Sequence, residues 1–234
     1  MSLDGQVVMV TGAAGTLGRA VVAAFAGAGA RMALLDITAK GLEAAYGKDS
    51  DSQILLAADL VDKAAVAKAV EAITRKFGKI DVLANVAGGF RMGPTVHETE
   101  DELWKAMMDM NAGTVLNTVH AVVPVMLAAG KGKIVNIGAM GGLVGRGNMG
   151  AYSASKSVVI RLTESLGAEL RDKGINVKCV LPSIIDTPAN RADMPDADPK
   201  RWVAPAALAD VILFLASDQA RAIHGAAIPV VGLS

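Results

Sequence analysis

Short apolar runs rich in β-branched residues alternate along this chain with longer helical patterns. That alternation limits the fold more than any other feature. The runs fall at Gln6–Thr11, Arg31–Asp36, Gln53–Ala58, Asp81–Asn85, Lys133–Ile137, Asn176–Leu181 and Ala226–Val231. Helical patterns stand between them: from the Gly-rich turn after Thr11 to about Gly27, then Asp62–Phe77, Glu100–Ala129, Ala151–Lys173 and Pro205–Ser217. A strand without a polar face must be covered on both sides, so this pattern predicts a parallel sheet with helices on each face. Right-handed crossovers then give a doubly wound α/β fold with a seven-stranded parallel sheet. No solenoid repeat, low-complexity tract or linker divides the 234 residues, so a single domain over 1–234 is expected. Thr187–Trp202, with Pro188, Pro195 and Pro199 and with Pro205 just beyond, reads as an irregular surface loop of that domain.

Composition narrows the partners. Hydrophobic residues are 52% and charged residues 20% of the chain, which excludes global disorder. Lys+Arg and Asp+Glu each total 23. Zero net charge removes the electrostatic motive for binding nucleic acid or an anionic membrane surface. The most apolar stretches, Val21–Leu35 and Val115–Ala129, are interrupted by Arg31 in one and by Asn117, His120 and Pro124 in the other. Neither offers the roughly 20 clean apolar residues of a membrane span. Met1-Ser2-Leu3-Asp4-Gly5 has no basic region leading into an apolar one, so no signal peptide is expected. The single cysteine, Cys179, cannot close an internal disulfide, and a reducing cytoplasm suits it. Within an apolar strand it reads as a small buried hydrophobe.

Thr11-Gly12-Ala13-Ala14-Gly15-Thr16-Leu17-Gly18 follows the first strand and opens the first helix. Glycines let a pyrophosphate approach the backbone, and a helix N-terminus offers it free N–H groups. In this strand–turn–helix context the motif points to a Rossmann-like dinucleotide site. Asp36 ends the second strand, where an acid meets the adenosine ribose. Its carboxylate accepts from both ribose hydroxyls and repels a 2′-phosphate, which predicts NAD(H) in preference to NADP(H).

Tyr152-Ser153-Ala154-Ser155-Lys156 opens a long helix, and residues four apart share a helix face. Tyr152 and Lys156 are therefore expected in one cleft. A phenol titrates near 10, too high for acid–base work at neutral pH. A neighbouring ammonium and a positive nicotinamide are expected to lower it.

Taken together these residues resemble the short-chain dehydrogenase/reductase family. The resemblance runs through Thr11–Gly18, Asp59-Leu60, Asn85-Val86-Ala87-Gly88, Asn111, Tyr152 with Lys156, Pro182, Thr187-Pro188 and a closing strand after Gly225. It implies that Asp59 and Leu60 lie by the adenine, with Asp36 and Ile37 at the ribose. It further implies that Asn85, Ala87 and Gly88 form the floor beside the adenosine ribose. Asn111 would kink its helix and hold a proton-relay water. Lys156 would also bind the nicotinamide ribose, with Pro182, Ile185 and Thr187 around the carboxamide. Catalysis would fall to Tyr152, Lys156 and Asn111.

Three positions depart from the family pattern. Thr16 stands where the commonest Gly turn has glycine, and Ser183 replaces the glycine usual after Pro182. The catalytic serine, thirteen residues before the tyrosine in the family, is Ala139 here, and no Ser or Thr lies between Gly138 and Tyr152.

A narrower likeness concerns that absence. Val180-Leu181-Pro182, Asp186-Thr187-Pro188, Asn190-Arg191, Met194-Pro195, Ala197-Asp198 and Trp202 are similar to a loop of dihydropteridine reductases. So are Val86-Ala87-Gly88-Gly89 and Trp104-Lys105. That subgroup keeps the Tyr–Lys pair, lacks the serine, prefers NADH and reduces a quinonoid dihydropterin. Residues 189–202 are expected to form a substrate lid, and Phe90, Ala139, Met140, Met149, Met194 and Trp202 to line the substrate pocket.

The remaining candidates carry less. His97, His120 and His224 are scattered without metal-ligand spacing, and no metal is expected. His120 reads as a packed or partner-facing helix residue, His224 as a turn residue, and Asp193, Asp196 and Asp198 as solvated loop charges. The expectation is an NAD(H)-dependent oxidoreductase acting on a small carbonyl, alcohol or cyclic substrate, with Tyr152 as general acid/base. The alternatives are a quinonoid dihydropteridine reductase and, from another class, a catalytically quiet NAD(H)-binding sensor or scaffold. Apolar residues on Glu100–Ala129 and Ala151–Lys173 exceed one buried face, which predicts a homodimer or homotetramer.

Overall fold

Successive strand residues face opposite sides of a sheet. In β1 (Val7–Thr11) both sides are buried: Val7 and Met9 enter one core, Val8 and Val10 the other. The computed structural model describes residues 1–234, and in it this pattern repeats across one seven-stranded parallel sheet. The other strands are β2 (Arg31–Asp36), β3 (Gln53–Ala57), β4 (Val82–Asn85), β5 (Gly132–Ile137), β6 (Ile175–Pro182) and β7 (Ala227–Val230). Their order is β3-β2-β1-β4-β5-β6-β7. The chain winds outward from β1 to β3 and then crosses back to β4, so a crevice opens where β1 and β4 end.

Helices α1 (Thr16–Gly27) and α8 (Pro205–Ala216) cover one face through Val21, Phe25, Leu208, Ile212 and Leu215. The other face is covered by α3 (Lys63–Phe77), α5 (Thr114–Ala129) and α6 (Gly150–Leu170) through Ile73, Val119, Met126, Val159 and Ile160. A short α2 (Ala39–Tyr46) was not among the expected helices. Thr38 starts it by accepting the Gly41 N–H, and Gly47 at φ 76° stops it.

The expected helix Glu100–Ala129 is three pieces: α4 (Asp101–Met108), one π-helical turn at Asp109–Gly113, and α5. The wide turn carries Asn111. By length and composition alone, Asp101–Ala129 is long and apolar enough to cross a membrane. Here Val115, Val119, Val122 and Met126 pack on the sheet, while Leu116 and Leu127 are exposed. His120 is exposed too, so it is not a packed residue. Lys178 in β6 is a surprise within an apolar strand. It is fully buried, and its Nζ donates to the Leu215 carbonyl at 2.6 Å at the end of α8, where a cation suits the helix dipole.

Candidate active site

The Gly-rich turn is fastened to the far side of the crevice. Thr11 Oγ1 accepts the Val86 and Ala87 N–H groups at 3.0 and 3.1 Å, which ties the end of β1 to the end of β4. Gly12 has φ +62°, and a Cβ there would lie 2.9 Å from Ala87 Cα. At Gly18 a Cβ would lie 2.0 Å from the Gly12 carbonyl oxygen, so neither position admits a side chain. Gly15 is different: its nearest clash is an ordinary 3.4 Å contact, and it faces the cleft together with Thr16, Leu17 and Gly18. Gly15 caps α1 without any side-chain hydrogen bond. The first-turn N–H groups therefore meet the cleft with no side-chain partner, which is the arrangement a phosphate needs.

Asp36 is held at the rim. Its Oδ2 accepts the Ala14 N–H at 2.9 Å and its Oδ1 accepts the Ile37 N–H at 2.8 Å, so the turn and β2 fix its direction. Tyr46 supports the same corner by donating to the Ala13 carbonyl, and burial pushes its phenol up to about 12. Asp59 accepts the Val61 N–H at 2.9 Å and lines the cleft beside Leu60.

At the other end, Lys156 is buried and donates from Nζ to the Ile137 carbonyl at 2.9 Å. Burial lowers its ammonium to about 8. Burial also pushes the Tyr152 phenol up to about 12. Asn111 Oδ1 accepts the Gly89 N–H, and its Nδ2 donates to the Gly89 carbonyl and to Ser155 Oγ, all at 3.0 Å. Ser155 in turn donates to the Tyr152 carbonyl at 2.8 Å. The π-turn is thereby braced to the loop after β4 and to the start of α6. A Cβ on Gly88 would lie 2.8 Å from Asn111 Oδ1 and 3.2 Å from Lys156 Nζ, so a side chain there would displace one of these two groups.

One cleft of about 1060 Å³ runs through both ends. The structure brings to it Gly12, Gly15–Gly18, Asp36, Ile37, Asp59, Leu60, Ala87, Gly88, Phe90, Ala139, Tyr152, Lys156, Pro182, Ile185 and Thr187. Other expectations need correction. Asn85 is not the cleft floor: it is buried, donating to Asn136 Oδ1 at 2.9 Å and accepting from Thr118 Oγ1 at 2.8 Å. Met140 is partly buried and packs against the core instead. Met149 stands behind Tyr152 in a separate small cavity. Met194 follows a short helix and does not reach the cleft. Trp202 is buried away from it, because Val203 pairs with the segment just after β6, donating to the Ile184 carbonyl at 2.8 Å.

The stretch after Thr187 is also more regular than expected. Thr187 accepts the Asn190 N–H, and Pro188 stands at the first position of α7 (Pro188–Asp193). A Thr-Pro pair is a helix start, and that signal was available in the sequence. Asp193 lines the cleft with Ala189 and Asn190, so it is not merely a solvated loop charge. Met110, Asp109 and Ser183 also line the cleft and were missed. Nothing local marks Asp109 and Met110, since only the folding of the π-turn brings them there, whereas Ser183 follows directly on Pro182. Ser183, in place of glycine, donates to the Val231 carbonyl at 2.8 Å and anchors the C-terminal tail.

Comparison with known proteins agrees with this geometry. The short chain dehydrogenase family model matches residues 6–198. D-threitol dehydrogenase of Mycolicibacterium smegmatis is 35% identical, with 98% of this chain and 93% of that protein aligned. A 3-oxoacyl-acyl-carrier-protein reductase of Thermotoga maritima is 32% identical over 99% of this chain and 98% of its own. Among solved structures, an NAD⁺-bound xylitol dehydrogenase superposes with a TM-score of 0.89 at 27% identity, covering 99% and 100% of the two chains. A 3-ketoacyl reductase from Brucella melitensis complexed with NADH gives 0.88 at 30% identity, covering 99% and 98%.

Proposed function

The chain belongs to the short-chain dehydrogenase family, and from that premise we propose an NAD(H)-dependent enzyme that interconverts a small carbonyl compound and its alcohol, with Tyr152 as general acid/base. The carrying observation is that a single cleft joins the Gly15–Gly18 helix start and Asp36 to Tyr152 and Lys156. From β2 to β5 is three inter-strand spacings, about 14 Å, a reach that suits an extended dinucleotide.

When bound, NAD(H) supplies or accepts a hydride at the nicotinamide. The chain's own residues handle the proton. Tyr152 is a phenol throughout the neutral range and holds the proton for the carbonyl oxygen. Lys156, once charged, stabilises the phenolate that remains. Ala139 has no hydroxyl, so Tyr152 is the donor on which the carbonyl depends. The relatives named above work on polyols and oxoacyl thioesters, which favours this reading over a pteridine reductase or a silent NAD(H)-binding scaffold. An NADH-oxidation screen with simple ketones, 3-oxoacyl thioesters, quinones and quinonoid dihydropterin tests it. Reduction of the pterin alone, or of nothing, rejects it.

The Asp36 carboxylate underlies the NADH preference. NADH is expected to bind at least about tenfold more tightly than NADPH, about 1.4 kcal/mol, and Asp36→Asn to narrow the gap. Fluorescence titration of both cofactors measures it, and equal affinities reject the preference. The buried Cys179 has no partner cysteine, and a cytoplasmic enzyme fits this reading.

The assembly reading rests on Trp104, Leu116 and Val158, which leave apolar surface exposed on α4, α5 and α6. These helices are expected to meet their copies in a homodimer or homotetramer. Light scattering at micromolar concentration should give a multiple of 23.9 kDa, and a monomer mass rejects the assembly.

A further inference from the structure

Tyr152 has a neighbour for which the chemistry of proton transfer has no need. The Phe90 ring stands perpendicular to the Tyr152 ring, with centroids 4.9 Å apart and an interplanar angle of 90°. Aromatic quadrupoles favour this edge-to-face arrangement at separations of roughly 4.5–7 Å. Gly141 supplies a second contact, since a Cβ built there would lie 3.4 Å from Tyr152 Cε1. Glycine at 141 thus leaves that flank of the ring without a side chain, and Phe90 is the aromatic ring packed on it. No side-chain or backbone hydrogen bond tethers the phenol, and burial pushes it up to about 12. Position 139, a buried methyl on the same cleft, offers it no hydroxyl. What sets the two torsions of Tyr152 is packing.

We propose that Phe90 is a positioning residue for Tyr152: its perpendicular ring holds the phenol in the orientation from which the proton is transferred. The inference rests on the reading of Tyr152 as the proton donor. Phe90 lies on the loop after β4, at the cleft, and is 45% exposed. It thus reaches Tyr152 from outside the helix that carries it, and its ring limits the rotamers the backbone of α6 leaves open. Small displacements of a reacting group are costly in rate, and the loss falls on the chemical step more than on binding.

The chain has two tyrosines, Tyr46 and Tyr152. Biosynthetic 3-fluorotyrosine therefore gives two fluorine NMR signals, and Tyr46→Phe assigns them. In Phe90→Leu, and in Phe90→Met as a second variant of similar bulk, the Tyr152 signal is expected to move as the ring current is lost and the ring gains freedom. With any ketone the wild type reduces, kcat should fall about 2- to 10-fold, the size of an aromatic pair interaction, by the same factor for small and large substrates. Phe90→Trp should restore most of it. An unmoved Tyr152 signal in both variants overturns the proposal. A rise in KM at constant kcat also overturns it, since Phe90 is then only a wall for substrate. If the wild type reduces no carbonyl compound, the proposed function fails, while the fluorine signal still decides whether Phe90 holds the ring.

Discussion

Tyr152→Phe is expected to lower kcat for ketone reduction by about 10²–10⁴-fold, the usual worth of a positioned general acid. NADH affinity should change little, because the ring and its packing against Phe90 remain. A loss of only a few-fold would remove Tyr152 from the role of acid. The pH dependence adds a second check. Tyr152, at about 12, stays protonated throughout the working range. Lys156 titrates at about 8, below its ordinary 10.5. On the proposed reading a charged Lys156 stabilises the phenolate, so kcat/KM for reduction should fall as pH rises through about 8. The same shift has the opposite sign for folding. A buried lysine whose pKa is depressed costs stability below about 8, and that cost is relieved as pH rises towards 10.5. Activity lost above pH 8 is therefore not unfolding at this residue, and circular dichroism at pH 9 should show a native spectrum.

Ala139→Ser should raise ketone turnover, by up to about 10²–10³-fold, the typical worth of one donor to a developing oxyanion. Ala139 is buried, lines the cleft with Tyr152, and stands one residue beyond Gly138 at the end of β5. Serine adds a single oxygen. The wild type should accordingly reduce ordinary ketones slowly and quinonoid acceptors relatively better, since such a ring draws the hydride with less need for a second donor. Steady-state rates of both substrate classes at saturating NADH, in wild type and variant, measure this. If wild type reduces simple ketones at about 1–10³ s⁻¹ and the serine changes nothing, position 139 does not face the carbonyl oxygen.

How much of this was legible in the residues depends on the range of the physics involved. Gly12 needs positive φ and bare space, and Gly18 needs bare space, wherever a strand must turn at once into a helix, so the turn could be found locally. Tyr152 and Lys156 share a helix face by spacing alone. The short helix at Pro188–Asp193 is equally local, carried by Thr187-Pro188, although the prolines that dominate the stretch suggest a loop.

The amino-acid sequence by itself determined the seven strands, the doubly wound sheet and the two ends of the cleft, because strand period, helix period and glycine conformation act over a few residues. Only the tertiary structure decided the rest. Thr11 meets Val86 and Ala87 across 75 and 76 residues, Met140 packs against the core while Met110 enters the cleft, and Phe90 comes to stand against Tyr152. The direction of the Tyr152 shift belongs to this second group. Spacing placed an ammonium nearby, but the burial that pushes the phenol up is a product of packing.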